Sequence, residues 1–273
     1  GLLIGARLVS AIIYDPEGIY REKPWLVFWP FDEQGRFTGL QGMSYHGGLI
    51  GAVVGGAIYC KVKRQDFWLW ADLVTAGVPL GYTAGRIGNF INGELWGRVT
   101  TAPWGMIFPE ATTFSPKEQW VRDIASQVGI TIQATQRVNL PRHPSQLYEA
   151  FFEGIFLWLV LWFFVRKRKK FDGEVISSYL IGYGTIRFFL EYFREPDVGM
   201  GFPIALAPDA MYPQALFLSP WNFSTGQILC FLMVLSGIFM FLYCSKRDRR
   251  LKEAKARAEK EMNYRKKLKK KIK

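Results

Sequence analysis

The chain has 273 residues, 49% of them apolar and 16% aromatic, yet it carries a formal net charge of +12. That charge gathers at one end: residues 246–273 hold 15 Lys/Arg against 4 Asp/Glu, whereas residues 1–245 hold 20 against 19. A nearly neutral body with long apolar runs and a cationic tail excludes a disordered chain, a disulfide-stapled secreted domain and a generally basic nucleic-acid binder. It points to a membrane protein.

In chain order, the first element is the apolar stretch Gly1–Tyr14, interrupted only by Arg7 and too short to cross a bilayer, which takes about 20 residues. It lacks the charged start and cleavage site of a signal peptide and reads as the end of a span whose beginning is missing. Five longer runs follow: Met43–Cys60, Phe67–Ala84, Leu147–Val165, Val175–Phe193 and Gly226–Cys244. At 18 or 19 residues each, they reach about 27–29 Å as helices, close to the hydrocarbon thickness. The predicted fold is an all-α, polytopic helical membrane protein with about six segments, long external loops and a body of residues 1–245. The tail, residues 246–273, is a basic cytoplasmic extension.

Basic clusters follow the second, fourth and sixth segments: Lys61, Lys63 and Arg64; Arg166–Lys170; and Lys246, Arg247, Arg249 and Arg250. The positive-inside rule puts all three in the cytoplasm and the connections 15–42, 85–146 and 194–225 outside. Glycines at intervals of four, Gly47, Gly51 and Gly55, then Gly77, Gly81 and Gly85, suit close helix packing in lipid. Pro79 predicts a kink. Cys60, Cys230 and Cys244 lie in or beside apolar runs without metal or redox spacing and read as buried small hydrophobes. The tail is rich in Ala, Glu and Lys and fits either a cationic arm on anionic lipid or a solvated helix. Only Tyr264 interleaves its charges with an aromatic ring, which argues against nucleic acid as a partner.

Polar groups at membrane depth are costly and are functional candidates by default. Here they share the outer level. His46 begins a segment; Arg86, Asn89, Asn92, Glu94 and Arg98 follow one; His143 precedes another; Arg187, Glu191 and Arg194 end a fourth. The densest stretch is GRIGNFINGELWGR, Gly85–Arg98, where glycines permit turns and Asn and Arg offer donors to a phosphate oxyanion. A lipid-headgroup site and a re-entrant turn with Arg86 paired to Glu94 both satisfy this composition. In GYGTIRFFLEYFREPD, Tyr183, Arg187, Glu191 and Arg194 fall on one helical face. Arg187, roughly 9 Å below the outer end, needs a carboxylate, a polar cavity or an anion. An anion site explains the shared level of Arg86, Arg187 and Arg194 better than an internal Arg187–Glu191 pair does.

These stretches resemble a family. Together with MSYHGGLIG around His46 and RHPSQLYEA from Arg142, they are similar to the signature of phosphatidylglycerol–prolipoprotein diacylglyceryl transferases, and the likeness runs in order from Gly1 to about Gly237. The resemblance implies seven transmembrane helices in the full family, an external N-terminus, a cytoplasmic C-terminus and the bacterial inner membrane. It implies transfer of a diacylglyceryl group from phosphatidylglycerol to the lipobox cysteine of preprolipoproteins, with no cofactor and no metal. The partners it implies are that lipid, the preprolipoprotein signal peptide and surrounding membrane lipid.

The sulfur must lose its proton and displace a phosphate ester at carbon. Arg86 and Arg187 are the candidates for gripping the phosphate, and Asn89 adds a neutral donor. Glu94 orients an arginine or the glycerol hydroxyls, and Tyr183, Glu191 and Arg194 complete the expected binding set. His46 is either the base, since imidazole titrates near neutrality, or a headgroup ligand. His143 reads as structural. Three features depart from the family: the long stretch Glu110–Leu140, the opening STGQILCFLM of the last helix and the length of the tail. A transporter or channel with an outward-facing anion site is the competing class, but the sequence lacks the paired repeats expected of one.

Overall fold

The structure, a computed structural model, describes residues 1–13, 19–31, 35–37, 39, 42–133, 135–195, 202–206, 215–217 and 219–271. Its described residues are mostly helical and form two compact units, Gly1–Trp70 and Ala71–Lys273.

In the first unit, α1 (Leu2–Ile13) packs on α2 (Tyr45–Lys63). The first glycine stripe makes this contact: a Cβ on Gly51 would lie 2.2 Å from the Gly1 carbonyl oxygen, so only a bare backbone permits the approach. Ser44 caps α2 by accepting from the Gly47 N–H, and Lys61 and Lys63 in the last turn complement the helix dipole. Arg7, the one charge in α1, is buried and donates to the carbonyls of Val27 (2.6 Å) and Gly42 (2.9 Å). Those bonds tie α1 to the connection before α2.

The run Phe67–Ala84 is not one helix. It divides into α3 (Phe67–Thr75), which bridges the unit boundary, and α4 (Val78–Ile91). The break falls at Gly77 and places Pro79 in the first turn of α4, where a missing N–H costs nothing. The expected kink is thus a restart, and α4 runs seven residues beyond the expected end at Ala84. The second glycine stripe does not pack: among the described residues, a Cβ on Gly81 or Gly85 would meet nothing within 4 Å. The α4 contact runs instead through Thr83, whose hydroxyl donates to the carbonyls of Pro79 and Ala150.

The rest of the second unit comprises α5 (Gln119–Gln127), α6 (Ser145–Arg168), α7 (Glu174–Leu190) and α8 (Thr225–Lys271). A short antiparallel pair, β1 (Ile204–Ala205) and β2 (Asn222–Phe223), sets Ile204 opposite Phe223. Two stretches of α6, Ala150–Phe156 and Val160–Val165, are π-helical. Asp72 is buried and accepts from the N–H groups of Gly173 and Ile176 at the start of α7 while pairing with Lys169. The stretch between α4 and α6 is no open loop: Val99, Phe114, Val121, Ala125, Val138 and Leu140 form a core around α5.

Among the described residues, only α6 and α8 are both long and apolar enough to cross a membrane by length and composition. Leu229, Phe231, Leu232, Phe239 and Leu242 of α8 are each more than half exposed. Such a band suits lipid rather than water. Helix α8 does not stop at Cys244 but continues to Lys271, about 70 Å in all. Cys60, Cys230 and Cys244 are buried and unbridged, in keeping with their reading as hydrophobes.

Candidate active site

The second unit gathers charged side chains from α4, α6 and α7 around one carboxylate. Glu149, 1% exposed, pairs through Oε2 with Arg86 Nε at 2.8 Å and through Oε1 with Arg187 Nη1 at 3.1 Å. The Tyr82 hydroxyl donates to Glu149 Oε2 (3.2 Å) and accepts from Arg86 Nε (2.8 Å). The Arg86 guanidinium also lies over the Tyr82 ring, 4.9 Å from its centre, and Tyr183 meets that ring edge-on at 5.6 Å. Arg187 reaches Glu191 with Nη2 at 3.1 Å and stands 3.6 Å from Glu153 Oε1. Despite these ion pairs, Arg187 Nη1 has no hydrogen-bond partner among the described residues. An unspent donor on a buried guanidinium suits an anionic oxygen.

Glu191 is held from the other side. Its Oε1 accepts from the Ser224 hydroxyl at 3.1 Å. Ser224 and Gln227 form a reciprocal cap on α8: the Gln227 N–H donates to Ser224 Oγ, and the Ser224 N–H donates to Gln227 Oε1. Gln227 Nε2 also donates to the Phe188 carbonyl. The unusual opening of the last helix is therefore the device that fixes Glu191.

A second layer holds the Gly85–Arg98 stretch against the start of α6. Gln146 donates to the Glu94 carbonyl (2.6 Å) and Ser145 to that of Leu95 (3.2 Å). The Gly97 N–H donates to the His143 carbonyl, and that of Arg98 to the Phe193 carbonyl. Gly97 admits no larger residue: a Cβ there would stand 2.4 Å from the Phe193 oxygen and 2.7 Å from that of His143. Arg142, fully buried, pairs with Glu195, which also accepts from Trp96 Nε1. The Arg142 guanidinium lies near the rings of Trp96 and Phe114. Burial lowers the pKa of His143 and keeps it neutral, and its Nδ1 lies 3.2 Å from the Tyr148 hydroxyl. Burial likewise works against the charge on Arg98, only partly offset by Glu191 and Glu195.

Among the expected site residues, Arg86, Arg187, Tyr183 and Glu191 meet in this cluster. Glu94 does not orient an arginine: its exposed carboxylate accepts from Asn89 (2.8 Å) and Asn92 (3.4 Å), so the Arg86–Glu94 pair is replaced by Arg86–Glu149. Arg194 does not share the α7 face, because that helix ends at Leu190; its backbone bridges to Gly97 instead. His46 belongs to the first unit, exposed in the first turn of α2. Sequence reading missed Tyr82, Glu149 and Glu153.

A sequence model of the family described as prolipoprotein diacylglyceryl transferase matches residues 1–243. A phosphatidylglycerol–prolipoprotein diacylglyceryl transferase of Treponema pallidum (strain Nichols) is 52% identical over 243 residues, 87% of this chain and 72% of that protein. Its counterpart in Treponema denticola is 50% identical, covering 93% of this chain and 77% of the relative. That of Borreliella burgdorferi (strain ZS7) is 40% identical, covering 92% and 78%.

The chain belongs to the prolipoprotein diacylglyceryl transferase family. Three stretches that carry the family resemblance meet at Glu149: it lies in RHPSQLYEA, Arg86 in the Gly85–Arg98 block, and Arg187 in the stretch ending REPD. Within this transferase the glycine-rich block is no flexible loop. Its carbonyls accept from α6 side chains, and Gly97 is pressed between two backbone oxygens.

Proposed function

We propose that this protein transfers the diacylglyceryl group of phosphatidylglycerol to the lipobox cysteine of preprolipoproteins, with Arg86 and Arg187 stabilising the departing phosphate. The carrying observation is the convergence of these arginines from separate helices on Glu149, with Arg187 Nη1 still lacking a hydrogen-bond partner among the described residues. In the reaction the substrate sulfur forms a bond to the terminal glycerol carbon, the carbon–oxygen bond to phosphate breaks, and glycerol 1-phosphate leaves. The thiol proton passes to a base. Two preset guanidinia stabilise the charge that gathers on the phosphate oxygens as that bond breaks. Asn89, Glu94 and Arg194 supply further headgroup contacts, with Tyr183 and Glu191 fixing Arg187.

Purified protein in phosphatidylglycerol bilayers, given a lipobox peptide, should raise the peptide's mass by one diacylglyceryl group. An unchanged peptide mass sinks the proposal. In the same assay, His46→Gln should lose activity near neutral pH and regain it as the pH approaches the thiol's own pKa, if His46 is the base. A His46→Gln profile parallel to the wild type assigns it to the headgroup instead. The family assignment gives no support to a transporter.

In the membrane, the protein forms about six segments in the bacterial inner membrane, with the arginine cluster toward the outer face and residues 246–273 in the cytoplasm. The three basic clusters support this orientation. In a background without native cysteines, a cysteine at Thr112 should react with an impermeant thiol reagent in cells with the outer barrier opened, and one at Lys255 should not. Labelling of Lys255 alone would invert the topology. Gly199, in the external connection 194–225, lies outside the described residues.

A further inference from the structure

Gln146 is fully buried in the first turn of α6, and its Oε1 has no hydrogen-bond partner among the described residues. The neighbouring backbone settles which way the amide points. Its Nε2 donates to the Glu94 carbonyl oxygen at 2.6 Å, a place that only the NH2 group can fill, so the amide oxygen is turned elsewhere. A buried carbonyl oxygen without a donor has given up water and gained nothing in exchange.

The helix fixes where this spare acceptor lies. Gln146 precedes Glu149 by three residues on one face of α6, roughly 4.5 Å nearer the helix start. Glu149 is the meeting point of Arg86 and Arg187, so the acceptor stands one step beyond the proposed phosphate grip. The backbone that Gln146 holds is also strained. Leu95, next to Glu94, has a left-handed backbone with φ 57°, which a bulky residue adopts only where its surroundings impose it. Ser145 and Gln146 impose it by fastening the consecutive carbonyls of Leu95 and Glu94. Glu94 and Leu95 are themselves exposed, so Gln146 grips the underside of a surface segment.

We propose that Gln146 is a specificity-determining residue whose Oε1 accepts a hydrogen bond from a glycerol hydroxyl of the phosphatidylglycerol headgroup, while its Nε2 stays on the Glu94 carbonyl. The headgroup carries its two hydroxyls on the carbons just beyond the phosphate ester. In a lipid of the outer leaflet those carbons lie on the water side of the phosphate, the side on which the proposed orientation puts Gln146 relative to Glu149. Guanidinia grip any phosphodiester; a neutral acceptor beside them tells a hydroxylated headgroup from an alkyl one. The inference deepens the reading of Arg86 and Arg187 as a phosphate grip and rests on it.

The test compares two lipids with the same phosphodiester: phosphatidylglycerol and phosphatidylpropanol, in which hydrogen replaces both headgroup hydroxyls. With the protein in phosphatidylcholine nanodiscs, kcat/KM for alkylation of a lipobox peptide should be on the order of tenfold higher with phosphatidylglycerol. Gln146→Leu should abolish that preference, losing about ten times more on phosphatidylglycerol than on phosphatidylpropanol. Should the leucine variant fail to fold, Gln146→Met, of similar length and without a carbonyl oxygen, gives the same comparison. Ser145→Ala removes only the bond to Leu95 and should slow both lipids by one factor, keeping the preference. A preference that survives in the Gln146 variants, or that vanishes in Ser145→Ala as well, overturns the assignment. So does a raised KM for the peptide with the lipid preference intact, which would give the oxygen to the peptide. A wild type that uses both lipids equally overturns this inference alone. A wild type that alkylates the peptide with neither lipid defeats the functional reading, and this inference with it.

Discussion

Replacing Glu149 by Gln should lower peptide alkylation by a hundredfold or more and destabilise the second unit by about 3–5 kcal/mol, the usual cost of stripping one partner from a buried ion pair. The size of the effect follows from its connections. One buried carboxylate is shared by Arg86, Arg187 and the Tyr82 hydroxyl, so its loss leaves two guanidinia without their common anchor. Glutamine keeps the shape and can still accept from Tyr82 but offers no charge. Thermal unfolding in detergent together with the alkylation rate separates the two consequences. If added phosphatidylglycerol restores much of the lost stability, the freed arginines have taken lipid phosphate as a substitute anchor. Near-wild-type rate and unfolding temperature would show that Glu149 does not organise the site.

Glu149 was hard to see in the sequence for a physical reason. The apolar run that marks the helix begins at Leu147, so a carboxylate two residues later reads as an ordinary polar residue at a membrane boundary. The stronger signal was the pair Glu149 and Glu153, four residues apart in a run that is otherwise apolar. Carboxylates spaced for one helical face at membrane depth need a cation from elsewhere, and Arg187, a turn or more below the outer end of its segment, offers one. Asp72 carried the same kind of signal inside Phe67–Ala84, and in the structure it caps α7.

Arg86 and Arg187 stand out in the sequence through the outer level they share with Arg194, although a local pairing, Arg86 with Glu94 or Arg187 with Glu191, is open to each. The start and type of most helices were legible from the length of the apolar runs. Their ends were less so. Extending the α7 period past Leu190 puts Arg194 on its face, although Pro196 in REPD signals that the helix must stop. The apolar band of α8 was clear, but not the continuity of its tail, because high helix propensity in a charged stretch fits a solvated helix as well as a lipid-bound arm. The bond from Ser224 to Glu191 joins residues 33 apart, a distance over which local pattern carries no information, whereas the Ser224–Gln227 cap is a local S-x-x-Q pattern.

The arginines themselves give the second large effect. Arg86→Lys and Arg187→Lys keep the charge but lose the planar fork, and each should reduce kcat on the order of 10²-fold or more, comparable with removing an oxyanion donor. Arg187 should prove the less tolerant. It divides its nitrogens among Glu149, Glu153 and Glu191, three directions that an ammonium on a flexible stem cannot satisfy together. Arg86 meets Glu149 and Tyr82 through Nε alone, and a lysine can reach one of them. Because both arginines share Glu149, their losses should not add. The double variant should be faster than the product of the single effects predicts, since the first substitution has already loosened the carboxylate that positions the second. The decisive measurement is kcat and KM for phosphatidylglycerol in the wild type, both single variants and the double variant. A fall in kcat places the arginines in transition-state stabilisation, a rise in KM alone confines them to lipid binding, and near-normal turnover in both single variants would remove them from the reaction.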